Sequence, residues 1–312
     1  MAEVVDAFAP RVPTWAAVHL THAALQAVAD GAGVDLLHIK GPTDARFRID
    51  IHDSTDADVL VRPRHVDAFT RALEDRGWVL VSGFDEGSPF GHAANYQHPA
   101  WTWVDVHRSI PGFRRRAEDV FDRLWGEREH AEIAHWPCAT LSPRGQVLVQ
   151  VMHVARSHGS DRPETWMQCP DELRPSVRAL ADELGGAVAF AAGVGELDAY
   201  RGDRDYALWR YWSQPNENRI SEWAARVRSA PGFRARLRVV TQAGRVNHTR
   251  LRMRLGHEPT ATEVAHEQVA RIGHALGSAW AALTARIGSA PRLARRTRRY
   301  RGRRSGEKKE AQ

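Results

Sequence analysis

Two aspartates separated by one residue open an apolar run in the first third of the chain. In this run, DADVLV, Asp56 and Asp58 alternate with small and branched apolar residues. Residues two apart on a strand share a face, so a strand here would point both carboxylates the same way. Neighbouring carboxylates repel each other unless a cation lies between them. The spacing therefore predicts a site for a divalent ion with oxygen ligands, Mg²⁺ or Mn²⁺.

A second run, WTWVDVHRS at 101–109, has the same alternation. Its valines would face one side of a strand, while Asp105 and His107 would face the other. If this strand and DADVLV are neighbours, three aspartates converge on one patch, as phosphoryl transfer with one or two metal ions requires. His107 is then a partner of a metal ligand, a base, or only a strand residue satisfied by a neighbour.

A lysine–glycine turn precedes both runs. DLLHI at 35–39 predicts a buried strand, and the KGPT that follows predicts a turn into a short helix over 45–49. Glycine allows close approach of the backbone to an anion, and a helix N-terminus presents N–H groups to it. We therefore expect Lys40, Gly41 and the Thr43 hydroxyl to bind phosphate oxygens.

The elements around these residues predict a small mixed sheet with helices, an α/β (α+β) fold. Apolar periodicity gives strands at 35–39, 56–62, 78–84 and 101–109, helices at 15–33 and 65–77, and a loop at 85–99. His92, Asn95 and His98 lie in that loop and are candidates for substrate contact.

After Pro111 the strand signals become scarce, apart from 132–136, and helices dominate. Helices are expected at 113–125, 143–158, 171–184, 187–200, 203–212, 217–228, 231–240 and 262–288. The predicted organisation is a nucleotide-binding core over 1–125, a helical region over 126–290 and a basic tail over 291–312.

The positive charge of the chain belongs to that tail. The formal net charge is +6, yet the last 22 residues carry ten arginines and lysines against two glutamates. The body is therefore slightly acidic and lacks the basic footprint of a nucleic-acid-binding domain. The tail is either a solvated disordered end or an arm that contacts RNA, DNA, or acidic protein or membrane partners.

The remaining composition indicates a cytoplasmic protein. No run of about 18 apolar residues is present, and the N-terminus lacks the charge pattern of a signal peptide. Cys138 and Cys169 lack the spacing of a zinc site or a disulfide framework, which favours two reduced thiols.

Together these motifs resemble the NTP_transf_5 nucleotidyltransferases of the DNA polymerase beta-like superfamily. The matching segments are IKG at 39–41, DADVLV at 56–61, EDRGW at 74–78 and VDVH at 104–107. The resemblance covers about residues 15–110 and extends more weakly through 141–158. The family usually has an arginine where this chain has His52, and a glycine where it has Thr55.

The resemblance implies a bacterial enzyme that transfers a nucleoside monophosphate from an NTP, ATP above all, to a small-molecule, peptide or RNA acceptor. Asp56 and Asp58 would hold Mg²⁺ at the triphosphate, and Asp105 would complete a second ion site and help deprotonate the acceptor. Lys40 and Gly41 would hold the β- and γ-phosphates, with the Thr43 hydroxyl.

Other interpretations stay open. His52 is included in the predicted nucleotide-binding set at the position of the family's arginine. This replacement and that of the glycine by Thr55 motivate a catalytically degenerate fold that binds RNA or a protein partner. A toxin-like transferase acting on tRNA or protein is a variant of the enzyme hypothesis. The Asp-x-Asp of glycosyltransferases fits less well, because there the apolar strand precedes the motif, whereas here it follows.

Overall fold

The computed structural model describes residues 12–43, 54–87, 90–156, 164–214, 219–244 and 246–271, together with residue 273. By its contacts the chain divides into one unit of Met1–Ala243 with Asn247–Pro259, and a second of Gly244–Val246 with Thr260–Gln312. The elements that position the candidate site belong to the first unit.

Within the described residues, seven strands form one sheet in the order β3-β4-β5-β2-β1-β7-β6. The strands are β1 (Leu36–His38), β2 (Asp56–Val61), β3 (Val79–Ser82), β4 (Ala93–Gln97), β5 (Trp103–His107), β6 (Glu129–Ile133) and β7 (Trp136–Thr140). The pairs β2–β5 and β1–β7 are parallel, and the other pairs are antiparallel. The predicted mixed-sheet α/β fold class is confirmed.

Nine of the twelve α-helices described up to residue 255 correspond to predicted ones, and those at 84–87, 164–167 and 248–255 were not predicted. The twelve helices are α1 (Thr14–Ala32), α2 (Val66–Glu74), α3 (Phe84–Gly87), α4 (Ala117–Trp125), α5 (Pro143–Val154), α6 (Glu164–Met167), α7 (Arg174–Glu183), α8 (Ala187–Gly193), α9 (Tyr206–Ser213), α10 (Arg219–Ser229), α11 (Phe233–Gly244) and α12 (His248–Leu255). In the described part of the chain, none of the helices combines the length and apolarity needed to cross a membrane.

The sheet separates two hydrophobic cores. Leu36 packs with Val59 and with residues of α1 and α2, whereas the next residue, Leu37, packs with Leu60 and with residues of α5, α7 and α8. This is the alternation expected of strands buried on both faces. Asp58 lies one residue before Val59, so its carboxylate points to the face that the later helices cover.

Two strand predictions were wrong. The expected loop at 85–99 contains β4, whose sequence AANYQ carries little strand propensity and is ordered by pairing with both β3 and β5. The expected strand at 132–136 is the turn region of the β6–β7 hairpin, where Ala134 and His135 have φ of 51° and 63°. Positive φ at both central residues is what a two-residue hairpin turn needs.

The hairpin also adds β7 to the sheet, beside β1, so strands occur after residue 125. The division into 1–125, 126–290 and 291–312 stays a prediction. The expected helix at 45–49 and the basic tail lie outside the described residues, and the expected helix at 262–288 is described only to residue 271.

Candidate active site

The two acidic strands are direct neighbours. β2 and β5 run parallel with Asp58 opposite Asp105, which confirms the expected adjacency. Ala57 and Val104, the preceding pair in register, are fully buried on the opposite face. Burial of these apolar residues fixes the register, because a shift by one residue would place carboxylates in the core.

A chain of hydrogen bonds across the sheet orients Asp105. Ser82 on β3 donates its hydroxyl to Oδ1 of Asn95 on β4 at 2.5 Å, and the Asn95 amide donates to Oδ1 of Asp105. These residues also pair in the strand registers, Ser82 with Asn95 and Asn95 with Asp105. The side chains therefore lie in one row, and the carboxylate of Asp105 has a defined direction.

Asp58 is a buried carboxylate with two partners on one oxygen. Lys40 Nζ lies 2.6 Å from Oδ1, and Nε2 of His107 donates to the same oxygen at 2.8 Å. Burial by itself would raise the pKa of Asp58, but the ammonium of Lys40 and the hydrogen bond from His107 outweigh it and hold the pKa well below its usual range. Asp58 is thus ionised at neutral pH.

The pKa values of the other two aspartates, Asp56 and Asp105, shift upward instead. Burial, followed by repulsion from Asp58 and Asp56, raises the pKa of Asp105 to about 6. Burial, followed by repulsion from Asp58, also raises the pKa of Asp56. The site therefore holds more negative charge than its own cations neutralise, and a further cation would be stabilised there.

The donor atoms fit a divalent ion. Ligand atoms of Asp58, Asp105 and His107 lie within 4.8 Å of one another. Two carboxylates and an imidazole suit Mn²⁺, and the carboxylates alone suit Mg²⁺. Asp56 is not part of this group of described residues, although it lines the adjoining cleft. The predicted set of three aspartates is thus only partly gathered, and His107 stands closer to the cluster than the sequence indicated.

We expect Mg²⁺ to bind about tenfold more weakly at about pH 5 than at about pH 7.5, because a proton competes for the carboxyl of Asp105, whose pKa is about 6. Isothermal titration with Mg²⁺ at both pH values measures this. The raised pKa also means that the folded protein holds this proton more tightly than the unfolded chain. The metal-free protein should therefore lose stability as the pH rises from about 4 to about 6. An affinity unchanged with pH would contradict the assignment of Asp105 as a ligand.

The lysine–glycine turn follows β1, and the Lys40 side chain reaches Asp58 from it. Gly41 has φ of 75°, and a Cβ there would lie 2.6 Å from Nε2 of His22. His22 and His38 meet through their Nδ1 atoms at 2.7 Å, and Nε2 of His38 lies 3.2 Å from Oε1 of Gln26. Burial and the nearby His22 lower the pKa of His38 well below its ordinary value. The turn therefore packs against a buried imidazole pair, in which burial favours the neutral form of His38, and a side chain at position 41 would force the turn or His22 to shift.

Thr43 has a different contact from the one expected. Its side chain is buried, and its hydroxyl donates to Oε1 of Gln146 on α5 at 3.4 Å. Lys40, likewise expected at phosphate oxygens, is in an ion pair with Asp58. His52 lies outside the described residues.

The three candidate histidines, His92, His98 and His107, expected at the substrate or beside the metal ligands, separate into two groups. The rings of His92 and His107 have centroids 5.2 Å apart, so both lie at the site. His98 instead accepts from the backbone N–H of Ala100 at 3.0 Å and packs on Trp78. The structure does not bring His98 to the carboxylates.

One cation at the site was missed from the sequence. Arg156 follows α5, and its Nη1 donates to Nε2 of His92 at 2.6 Å. Burial, followed by repulsion from His107 and Arg156, lowers the pKa of His92 to about 2, so its ring is neutral. The available signal was its place three residues after His153 in LVQVMHVARSH, which puts both on one helical face. Because the chain contains many arginines, this spacing alone does not identify Arg156 as a site residue.

A cleft of about 230 Å³ adjoins the carboxylates. Its lining includes a half-exposed indole, two hydroxyls, an amide and two carboxylates, from Thr55, Asp56, Val81, Ser82, Asn95, Trp103 and Asp105. The cleft opens over β3, β4 and β5, whereas Lys40 follows β1 on the other side of β2. The site therefore has an acidic, partly aromatic end and a cationic end.

Comparison with known families agrees with the motifs. Residues 19–167 match the model of a family described as uncharacterised nucleotidyltransferase, NTP_transf_5. This segment holds both acidic strands, the lysine–glycine turn and Arg156. No curated protein sequence matches the chain.

Several solved structures show a distant likeness. The antibiotic-resistance factor ANT(2'')-Ia is 16% identical with a TM-score of 0.35, over 61% of this chain and 94% of that one. The lincosamide antibiotic adenylyltransferase LnuA is 15% identical with a TM-score of 0.32, over 52% and 94%. An antigenic nucleotidyltransferase-like protein from Paracoccidioides brasiliensis is 15% identical with a TM-score of 0.35, over 56% and 92%.

Proposed function

We propose that the chain transfers a nucleoside monophosphate from an NTP, with ATP the first candidate, to an acceptor hydroxyl, because residues 19–167 match the model of the NTP_transf_5 nucleotidyltransferases. The observation that carries this proposal is the side-by-side placement of Asp58 and Asp105 on parallel strands, within ligand distance of a common ion. The setting is the cytoplasm, where NTPs are supplied.

The residues divide the work as follows. Asp58, Asp105 and His107 would hold Mg²⁺ or Mn²⁺, with Asp56 beside them, and the ion would neutralise triphosphate charge and favour ionisation of the acceptor hydroxyl. Lys40 keeps Asp58 ionised by its direct ion pair. The turn at Gly41 places the phosphates next to the carboxylates.

The chemical step uses Asp105 as the proton acceptor. The acceptor oxygen forms a bond to the α-phosphorus, the bond from that phosphorus to the pyrophosphate oxygen breaks, and the hydroxyl proton passes to Asp105. The hydrogen bond from Asn95 aims this carboxylate. The adjoining cleft supports a small-molecule acceptor, or one side chain or nucleotide of a larger one.

The test distinguishes nucleotidyl from phosphoryl transfer. The protein is incubated with Mg²⁺, a panel of hydroxyl acceptors and ATP labelled at either the α- or the γ-phosphate. We expect the α-label in the product and the γ-label in pyrophosphate. Asp58→Asn should form neither of these labelled products. Transfer of the γ-label to an acceptor, or equal product from Asp58→Asn, would refute nucleotidyl transfer.

One observation favours a second candidate function. The ion pair between Lys40 and Asp58 already neutralises one carboxylate, as would suit a degenerate site that binds a partner without turnover. Calorimetry separates the two cases, because a binding module would bind RNA or protein without any Mg²⁺-dependent affinity for NTP. Deletion of 291–312 then shows whether the basic tail contributes to that binding.

A further inference from the structure

Arg156 is a partly buried cation that contacts two imidazoles. Its Nη1 donates to Nε2 of His92 at 2.6 Å, and its Nη2 lies 3.4 Å from Nδ1 of His153. Its Nε is buried and has no hydrogen-bond partner, and no carboxylate in the described part of the chain lies within 4.0 Å of the guanidinium. An arginine has five N–H donors, so these two contacts leave three, including the buried one.

Arg62, a more deeply buried arginine, shows how this fold compensates a cation in its interior. Arg62 is 4% exposed and forms ion pairs with Asp35, Glu118 and Asp122. Three acids compensate its desolvation, as expected for a buried charge. Arg156 lacks such compensation, and burial lowers its pKa to about 10. It remains a cation at neutral pH, and no carboxylate of the described residues forms an ion pair with it.

Arg156 also lies close to the charged residues of the candidate site. Lys40 and Arg156 both act electrostatically on the rings of His92 and His153. The carboxylates of Asp58 and Asp105 are within electrostatic reach of Arg156 without touching it. An anion bound by Arg156 would therefore lie near the candidate metal ligands.

We propose that Arg156, oriented by His92, forms a phosphate-binding subsite that takes the β- and γ-phosphates of the nucleotide and the pyrophosphate released from it. The planar guanidinium presents paired N–H groups that match phosphate oxygens. His92 is a positioning residue, because its neutral ring accepts one N–H of Arg156 without removing the charge. This inference rests on the proposed function for the identity of the ligand.

The test uses pyrophosphate as the probe, with and without Mg²⁺, in isothermal titration of the full chain. We expect Arg156→Gln to weaken binding by about 10- to 100-fold, the usual effect of losing a hydrogen-bonded charge. Its KM for ATP should rise by a similar factor, with a smaller change in kcat. Arg174→Gln is the matched control, because Arg174 also has a buried Nε without a partner but forms an ion pair with Asp171. It should bind as the wild type does.

Two further variants make the outcome decisive. Arg156→Lys keeps the charge without the planar fork and should weaken binding by at least about threefold. If Arg156→Gln does not fold, this variant decides. His92→Gln, which loosens the guanidinium, should also weaken binding. Pyrophosphate affinity equal to that of the wild type in a folded Arg156→Gln or Arg156→Lys would overturn the subsite.

The result separates this inference from the proposed function. If the wild type transfers the nucleotide and Arg156→Gln binds pyrophosphate as tightly as the wild type, the subsite is refuted and the proposed function stands. Pyrophosphate binding that depends on Arg156, without transfer from any NTP, would remove the function and leave an anion site.

Discussion

Replacement of Asp105 by asparagine should lower kcat for nucleotidyl transfer by about 1,000-fold, while the protein stays folded. The change removes one of the two adjacent carboxylates of the cluster and the proposed proton acceptor, and such losses remove several kcal/mol of transition-state stabilisation. The shape is preserved, and the new amide oxygen can still accept from Asn95. Steady-state kinetics with α-labelled ATP and Mg²⁺ measure the effect.

Stability provides the internal check on this variant. Because burial and the neighbouring acids raise the pKa of Asp105 to about 6, its ionised form is unfavourable in the metal-free protein at neutral pH. Asp105→Asn should therefore keep or raise the melting temperature without Mg²⁺, and lose the stabilisation that Mg²⁺ gives the wild type. Asp67→Asn, on the exposed face of α2, should leave activity and melting unchanged. Activity within tenfold of the wild type in Asp105→Asn would exclude it as base and ligand.

Gly41→Ala should lower kcat/KM by about 100-fold. The backbone at position 41 has φ of 75°, and the added Cβ would meet His22 Nε2 at 2.6 Å, so the turn must move away from the buried histidine pair. A displacement of about 1 Å in a positioning element is enough for an effect of this size. The strain should also reduce the free energy of unfolding by about 1–3 kcal/mol. Urea unfolding and steady-state kinetics give the two values.

Gly33→Ala is the matched control for the backbone. Gly33 ends α1 with φ of 63°, but a Cβ there meets nothing within 4 Å. It should therefore lose about 1 kcal/mol of stability from the left-handed conformation and keep full activity. If both variants lose activity equally, or neither does, the contact between Gly41 and His22 does not position the site.

The sequence by itself determined the acidic motif and the strands that carry it. Alternation of aspartate with apolar residues at 56–61 and 104–107 specifies strand, face and carboxylate direction at once, because successive side chains of a strand point to opposite faces. Most helices followed from apolar periodicity for the same reason. These properties are local, so neighbouring residues along the chain are sufficient to define them.

The tertiary structure alone decided which side chains meet. β4 is ordered by its two neighbouring strands, which is why Asn95 reaches Asp105 from a segment expected to be a loop. Lys40 forms an ion pair with Asp58, and the Thr43 hydroxyl donates to Gln146 on α5, because the packing of the sheet and α5 brings these polar groups within contact distance. Arg156 follows α5, which packs on the same face of the sheet as the Asp58 carboxylate, and so reaches His92 beside the site. Such contacts depend on how distant elements pack, and no spacing along the chain encodes them.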